Sequence, residues 1–463
     1  MKKSFHRRGD LILQEKPFAC VLQPQYRQQR CDRCFKQGKV LKCSNCLYVR
    51  YCNRSCQTEA WPDHKDECAK LKALPAGLVV PAAALMMARI IRRLQQGGDF
   101  QKGYYTPKYY RRFHDLMPHE ENIRKDAKRM EHFESLSVVL LRLLDEPAIP
   151  AGGELLRIYG KMCINSFNIV DNETITIGTG MYLGASILDH SCRPNAVPTF
   201  VGDTLQIRLL EDYTGSEVDF GKIYISYIDL LNPADARQSE LADRYYFRCE
   251  CDRCRDEAER KLMNAAACPN ADCDEPLDLD GGKLTACPAC KTEIKDSRRE
   301  QFVEISSFTK EQLSKMKDVA YLDVCQLCLK RQKGILHQYN VYYLKTLDHA
   351  FECAIDMEKW TEAIGYGLRL VDGFRKFHGQ YHPLFGLLLM KVGKMQLYLC
   401  QFAEAMKSLH AAEKIVRVTH GDQHDLYRQQ LVPLLCDAAR EFELAEEAKK
   451  GSDSGVEIRE IMQ

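Results

Sequence analysis

Apolar residues recur at three- and four-residue spacing in LMMARIIRRL (85–94) and SLSVVLLRLL (135–144), which predicts amphipathic helices from Lys70 to about Leu144. Between these stretches lies an aromatic and basic patch, Tyr104 to Phe113. It reads as a further amphipathic helix with snorkelling Arg and Lys. Residues 162–229 have another texture: CINSFNIV, TITIGTGMYL, AVPTFV, TLQIRLL and KIYISYIDLL are short β-rich runs separated by Asn, Gly and Asp. Ahead of them, GDLILQEKPFAC (Gly9 to Cys20) reads as a turn and a short strand closed by Pro17. From about Arg299 the pattern is helical again and repeats. Trp360-Thr-Glu-Ala363 recurs as Phe402-Ala-Glu-Ala405, and His378-Gly379…His382 as His420-Gly421…His424, each 42 positions on. An aromatic followed by small residues in helix pairs marks tetratricopeptide-like repeats, whose usual period is about 34; longer helices account for the excess. Such repeats stack into a curved solenoid with a concave binding face. Glu441 to Glu447 reads as a solvated helix face, and Cys325 and Cys328 as buried free thiols.

A chain of 463 residues exceeds one core, so two to four domains are expected. Net charge is +2, which offers no bulk field for nucleic acid. The one long apolar run, Ala76 to Ile91, is interrupted by Pro81 and Arg89 and is too short for a bilayer, so no membrane segment is expected. Met1 to Asp10 is basic without a following apolar run, so no secretory leader is expected either.

The 22 cysteines change the picture. Cys31 and Cys34, and Cys43 and Cys46, form CxxC pairs; Cys52 and Cys56 form CxxxC, and His64 and Cys68 form HxxxC. Eight such ligands make two tetrahedral sites suited to zinc, although the order of pairs leaves open which ligands share a metal. A segment this short folds on its metals. Cys249, Cys251 and Cys254 are three more sulfurs at ligand spacing. Sixty residues earlier Asp189-His190-Ser191-Cys192-Arg193-Pro194-Asn195 adds a fourth, and together they suggest a loop and a distant segment stapled by one zinc. Cys268, Cys273, Cys287 and Cys290 flank a DLDGGKLT hairpin signal and read as a zinc ribbon. Thiolates on metal rather than in disulfides place the chain in cytoplasm and nucleus.

The order CxxC…CxxC…YCxxxCQ…AWPDHKDEC resembles a MYND zinc finger. Followed by Asn165-Ser166-Phe167, the HSCxPN loop, Ser226-Tyr227-Ile228-Asp229 and YYFRCECDRC, it resembles the SET and MYND domain-containing protein lysine methyltransferases over essentially the whole chain. The resemblance implies an α+β multidomain fold: a SET β-fold with pseudoknot, an inserted MYND finger, a cysteine-rich post-SET segment, a zinc-ribbon-like insert and a C-terminal all-α tetratricopeptide-like superhelix. The expected divisions are 1–30 (first part of a split SET domain), 31–68 (finger), 69–155 (helical insertion), 156–232 (SET core), 240–258 (post-SET), 264–294 (ribbon) and 299–463 (helical repeats). Gly9–Cys20 should then pair with strands beyond residue 160, and the HSCxPN and SYIDL segments should lie side by side.

The resemblance also implies ligand sets and roles. The finger interleaves its sites, with Cys31, Cys34, Cys52 and Cys56 on one zinc and Cys43, Cys46, His64 and Cys68 on the other. Cys192 joins Cys249, Cys251 and Cys254 on a third. Tyr227 and Tyr245 line a lysine channel with Phe167 beside the substrate, while Asn165, Asp189, His190, Tyr227 and Phe247 meet S-adenosyl-L-methionine. The expected activity is methyl transfer to histone or other protein lysines by a monomer. The finger either binds proline-rich peptides or braces its neighbours. Three departures favour a second reading, a catalytically weak adaptor binding partners through finger and repeats. The family's RGxGL stretch is absent before Gly9, Asp189 stands where the family has Asn, and about five extra residues surround Asp219 to Lys222.

Overall fold

The computed structural model describes residues 5–75, 77–215, 217–279, 284–316 and 321–460. The chain divides into two compact units, Met1–Ile225 with Leu241–Phe247, and Ser226–Glu240 with Arg248–Gln463.

The first unit carries short strands in small sheets. These are β1 (Phe5–His6), β2 (Leu11–Glu15), β3 (Ala19–Leu22), β4 (Leu41–Lys42), β5 (Arg50–Tyr51), β6 (Gly103–Tyr104) and β7 (Tyr110–Arg111). After them come β8 (Ser166–Val170), β9 (Thr176–Met181), β10 (Asp189–His190), β11 (Ala196–Val201), β12 (Thr204–Leu209), β13 (Tyr213–Thr214) and β14 (Tyr224–Ile225). The expected pairing across the finger is present: β2 lies antiparallel to β12, with Leu13 opposite Ile207, and β3 lies antiparallel to β9. β10 and β14 run parallel, with Asp189 opposite Tyr224, and the amide of Asn195 donates to the Tyr224 carbonyl. The Asn195 Oδ1 accepts from the Tyr224 amide at 2.7 Å. The HSCxPN loop is thus fastened to the strand that leads into SYIDL. Only Tyr224 and Ile225 of KIYISYIDLL are regular strand. The residues around 219–222 close on themselves, the Asp219 carboxylate accepting from the Gly221 amide at 3.1 Å.

Helices of this unit are α1 (Arg54–Lys72), α2 (Ala82–Gln95), α3 (Glu120–Lys125), α4 (Ala127–Leu143) and α5 (Gly152–Asn165). The fully buried Leu85, Met86, Met87, Ile90 and Ile91 of α2 share one core with Leu140 of α4, Tyr159 of α5, Val49 of the finger and Leu71 of α1. At about 25 cal/mol per Å2 of apolar surface this packing is the main stabilising term. Two expectations need correction. The Tyr104–Phe113 patch is a β-hairpin rather than a helix: Pro107 bars helical propagation, and the Thr106 hydroxyl accepts from the Lys108 and Tyr109 amides to form a side-chain-closed turn. CINSFNIV begins inside α5, because Leu155, Leu156, Tyr159 and Met162 continue a helical apolar face to Asn165.

In the second unit, α6 (Ala234–Tyr245, its last turn belonging to the first unit) precedes α7 (Asp252–Arg255) and α8 (Glu257–Met263). Then follow α9 (Asp296–Lys315), α10 (Leu322–Gln332), α11 (Val341–Asp356), α12 (Trp360–His378), α13 (Pro383–Tyr398), α14 (Phe402–Thr419) and α15 (Val432–Glu460). The repeat read in the sequence marks equivalent ends: Trp360 and Phe402 open α12 and α14, His378 and His420 stand where they close, and His382 caps the start of α13. Glycines allow these helices to touch. A Cβ on Gly367 would come within 2.6 Å of Val392, and one on Gly393 within 2.7 Å of Leu409. The ribbon has its own small core of Leu277, Leu279, Ile294, Phe302 and Leu336. Its predicted turn, 280–283 of DLDGGKLT, lies outside the described residues; beyond it, the Ile294 amide donates to the Thr285 carbonyl at 2.8 Å and closes the Cys287–Cys290 knuckle. Cys325 and Cys328 are buried in α10, as read. Among the described residues no helix is long and apolar enough to cross a membrane.

Candidate functional site

Three CxxC knuckles are built by one backbone device. Phe35, Leu47 and Lys291 directly follow Cys34, Cys46 and Cys290, and all three take left-handed φ values of 59°, 57° and 63°. Their amides donate to the carbonyls of Cys31, Cys43 and Cys287 at 2.9, 3.0 and 3.0 Å. Bulky residues rarely adopt this conformation, so its recurrence marks a loop held closed by something the two cysteines share.

The ligand atoms of Cys31, Cys34, Cys52 and Cys56 lie within 4.8 Å of one another, as do those of Cys43, Cys46, His64 and Cys68. This is the interleaved partition. Four thiolates, and three thiolates with one imidazole, suit tetrahedral zinc. His64 is aimed by a second layer: its Nδ1 meets Glu67 Oε1 at 2.9 Å while Nε2 stands 3.6 Å from Cys46 Sγ. Glu67 is fully buried, and Arg89 of α2 donates to both its oxygens and to the Cys20 carbonyl of β3 at 2.7 Å. Arg89, the neighbouring His64 and these hydrogen bonds outweigh the burial of Glu67 and hold its carboxyl down at about 2. Sequence reading missed this pair, although His64 and Glu67 stand three apart on one helix, the spacing that places them on one face.

Cys268, Cys273, Cys287 and Cys290 form a further group within 4.8 Å, and Thr292 lies 3.1 Å from Cys290 Sγ. The sulfurs of Cys249, Cys251 and Cys254 also lie within 4.8 Å of one another. Their segment is pinned by Gln238, which donates to the Cys249 carbonyl at 2.7 Å, and by Arg253, which meets Glu259 at 2.6 Å.

Of the residues read as cofactor and substrate contacts, Asn165, Phe167, Asp189, His190, Tyr245 and Phe247 fall in the first unit and Tyr227 in the second. Asn165 ends α5, and its Nδ2 donates to the carbonyls of Lys161 and Met117 at 2.9 and 3.0 Å, which leaves its Oδ1 as the acceptor. Phe167 stands edge-on to Tyr182, ring centroids 5.7 Å apart. His190 faces Phe247 at 6.1 Å, and its Nε2 lies 3.3 Å from Cys192 Sγ. Asp189 beside it is exposed, while Tyr227, Tyr245 and Phe247 are half-buried. Tyr246, which sequence reading passed over, adopts φ +60° between Tyr245 and Phe247.

The MYND finger family model matches residues 31–68. The chain is 31% identical over 444 residues to histone-lysine N-methyltransferase SMYD3 of Homo sapiens, covering 93% of both chains. It is 29% identical over 430 residues to histone-lysine N-methyltransferase ASHR1 of Arabidopsis thaliana, covering 90% of this chain and 88% of that one. With N-lysine methyltransferase SMYD2 of Homo sapiens it shares 25% identity over 425 residues, 90% of each. Likeness at this level, running from the interleaved finger to the last helices, means that the chain belongs to the SET and MYND domain-containing family.

Proposed function

We propose that this protein is an S-adenosyl-L-methionine-dependent protein-lysine N-methyltransferase. The observation that supports the reading is the HSCxPN loop, whose strand β10 lies parallel to β14 and whose His190 ring faces Phe247 at 6.1 Å. That ring pair suits an adenosyl group, and the exposed Asp189 carboxylate would attract a cationic sulfonium. When bound, the cofactor supplies a methyl group on positively charged sulfur. The chain's residues then divide the remaining work. Asn165, Asp189, His190, Tyr227 and Phe247 hold the cofactor. Tyr227 and Tyr245 line the channel that strips water from the lysine amine and orient its nitrogen lone pair, with Phe167 against the lysine stem. The substrates are histone or other protein lysines.

Zinc occupies four sites in this reading. Two lie in the finger. A third is completed by Cys192, because Cys249, Cys251 and Cys254 are one thiolate short of a closed structural set. The fourth is the ribbon, whose Lys291 turn has the finger's knuckle geometry. A cavity of about 530 Å3 lined by Leu41, Tyr51, Arg54 and Trp61 suits a proline-rich peptide, since Leu41 and Trp61 are 62% and 46% exposed. The protein acts as a monomer in cytoplasm and nucleus.

Calorimetry of zinc-loaded protein should give saturable S-adenosyl-L-methionine binding, with methyl transfer to a histone and peptide panel abolished by Tyr245→Phe. An absence of cofactor binding would favour the adaptor reading, in which the MYND finger and helical repeats bind partners and the SET fold is scaffold.

A further inference from the structure

Tyr246 directly follows α6, its amide donating to the Ala242 carbonyl at 3.1 Å, and takes the left-handed φ of +60° that positions past helix ends normally give to glycine. A bulky aromatic stays there only if its surroundings over-determine it. They do so through the junction of α3 and α4. The Tyr246 hydroxyl donates to Asp126 Oδ2 at 3.1 Å, and its ring lies beside His119, centroids 5.6 Å apart. The other oxygen of Asp126 caps α4 by accepting from the Arg129 amide at 3.1 Å. The Arg129 guanidinium in turn donates to the Arg244 carbonyl at 3.2 Å, in the last turn of α6. The residues on either side of Tyr246 are Tyr245 and Phe247, the latter facing His190.

We infer that Asp126 and Tyr246 are positioning residues for Tyr245 and Phe247, the Asp126 carboxylate locking the strained turn that aims one ring at the substrate lysine and the other at the cofactor. The inference rests on the methyltransferase reading above. Its chemistry is specific: Asp126 gives one atom to the helix cap and one to the phenol, so in Asp126→Asn the amide oxygen keeps the cap while its N–H donates to the phenol oxygen, and a methyl does neither.

Four variants test it, with three readouts: hydrogen exchange, methyl transfer and thermal midpoint. Hydrogen exchange followed by mass spectrometry should show the 241–249 segment exchanging at least tenfold faster in Tyr246→Phe and Asp126→Ala, and near the wild-type rate in Asp126→Asn. In methyl transfer, Tyr246→Phe and Asp126→Ala should lose tenfold or more in kcat with peptide KM within threefold, and Asp126→Asn should recover most of it. Tyr245→Phe is measured beside them. If Tyr245→Phe retains full activity, the catalytic reading fails. If it is inactive while Tyr246→Phe and Asp126→Ala keep wild-type exchange and kcat, the positioning role is refuted. A loss in Asp126→Ala that Asp126→Asn does not restore, with a matching fall in thermal midpoint, refutes it equally, because the effect would then be general unfolding.

Discussion

Arg89 grips both carboxylate oxygens of Glu67, Nε to Oε2 at 2.9 Å and Nη2 to Oε1 at 2.7 Å, and Glu67 in turn holds the Nδ1 of His64. One buried carboxylate therefore serves a zinc ligand on α1 and a SET-side helix, α2. Glu67→Ala leaves the Arg89 charge uncompensated, a loss of about 3–5 kcal/mol. It also frees the imidazole that Glu67 orients, which should weaken the second finger zinc by roughly 10–100-fold. Urea unfolding and zinc release to a coloured chelator measure the two effects; unchanged release in Glu67→Ala would show that the carboxylate does not orient the ligand.

Gly160 sits inside α5, where alanine is ordinarily better by about 1 kcal/mol. Here a Cβ would lie 2.0 Å from the Pro118 carbonyl oxygen, a backbone atom that cannot swing aside. Gly160→Ala should therefore destabilise the first unit by about 1–3 kcal/mol. A raised unfolding midpoint would mean that the 113–119 loop is free to give way.

Burial, reinforced by the carboxylates of Glu352 and Asp229 and only partly offset by Lys391 and Lys345, pushes the Asp348 carboxyl up to about 7 from its ordinary 3.8. The folded state then holds this proton more tightly than the unfolded chain. Its stabilising effect is complete below pH 3.8 and is lost as pH rises through 7. Asp348→Asn should thus stabilise the protein by about 1–2 kcal/mol at about pH 8, the full shift being reduced by partial solvent exposure, by roughly a third as much at about pH 5, and by little below pH 3.8. His378, kept neutral by burial with a pKa near 3, acts in the opposite sense below 6.5, but it is common to both proteins. A pH-independent difference between them would refute the assignment.

Metal analysis should find four zinc ions per chain, falling to three in Cys287→Ser. Loss of the ribbon metal should also loosen α9. Arg298 donates from that helix to the Ala267 carbonyl at 2.9 Å and to the Gly334 carbonyl, tying ribbon and helices together. Proteolysis within 264–294 should quicken severalfold in the variant; three zinc ions in the wild type would exclude the ribbon site.

Metal chemistry was the most legible layer, because ligand type and spacing survive in sequence whatever the surrounding fold. The long helical repeats were legible for a related reason: Trp360 and Phe402 sit at equivalent helix starts and periodicity needs no partner. The hairpin at 103–111 was not. Its aromatic and basic residues fit a helical face as well as a strand, and Pro107 with the Thr106 turn decides between them. Residues such as Asp126 and Tyr246, 120 positions apart, become partners only through the fold, and no local pattern announces a left-handed tyrosine.

The pairing of β2 with β12 has a consequence for synthesis. Leu13 meets Ile207, about 190 residues later, which at roughly 5–20 residues per second is some 10–40 s of translation. During that interval the finger's ligands have all emerged and the metal can bind, while β2 and β3 wait as unpaired apolar edges. A nascent chain of this protein passes through a stage with a finished zinc module hung between unfinished strands. Ribosome-bound intermediates should therefore become chelator-sensitive well before they become protease-resistant, and shielding of residues 11–22 by a chaperone is the natural requirement of that order.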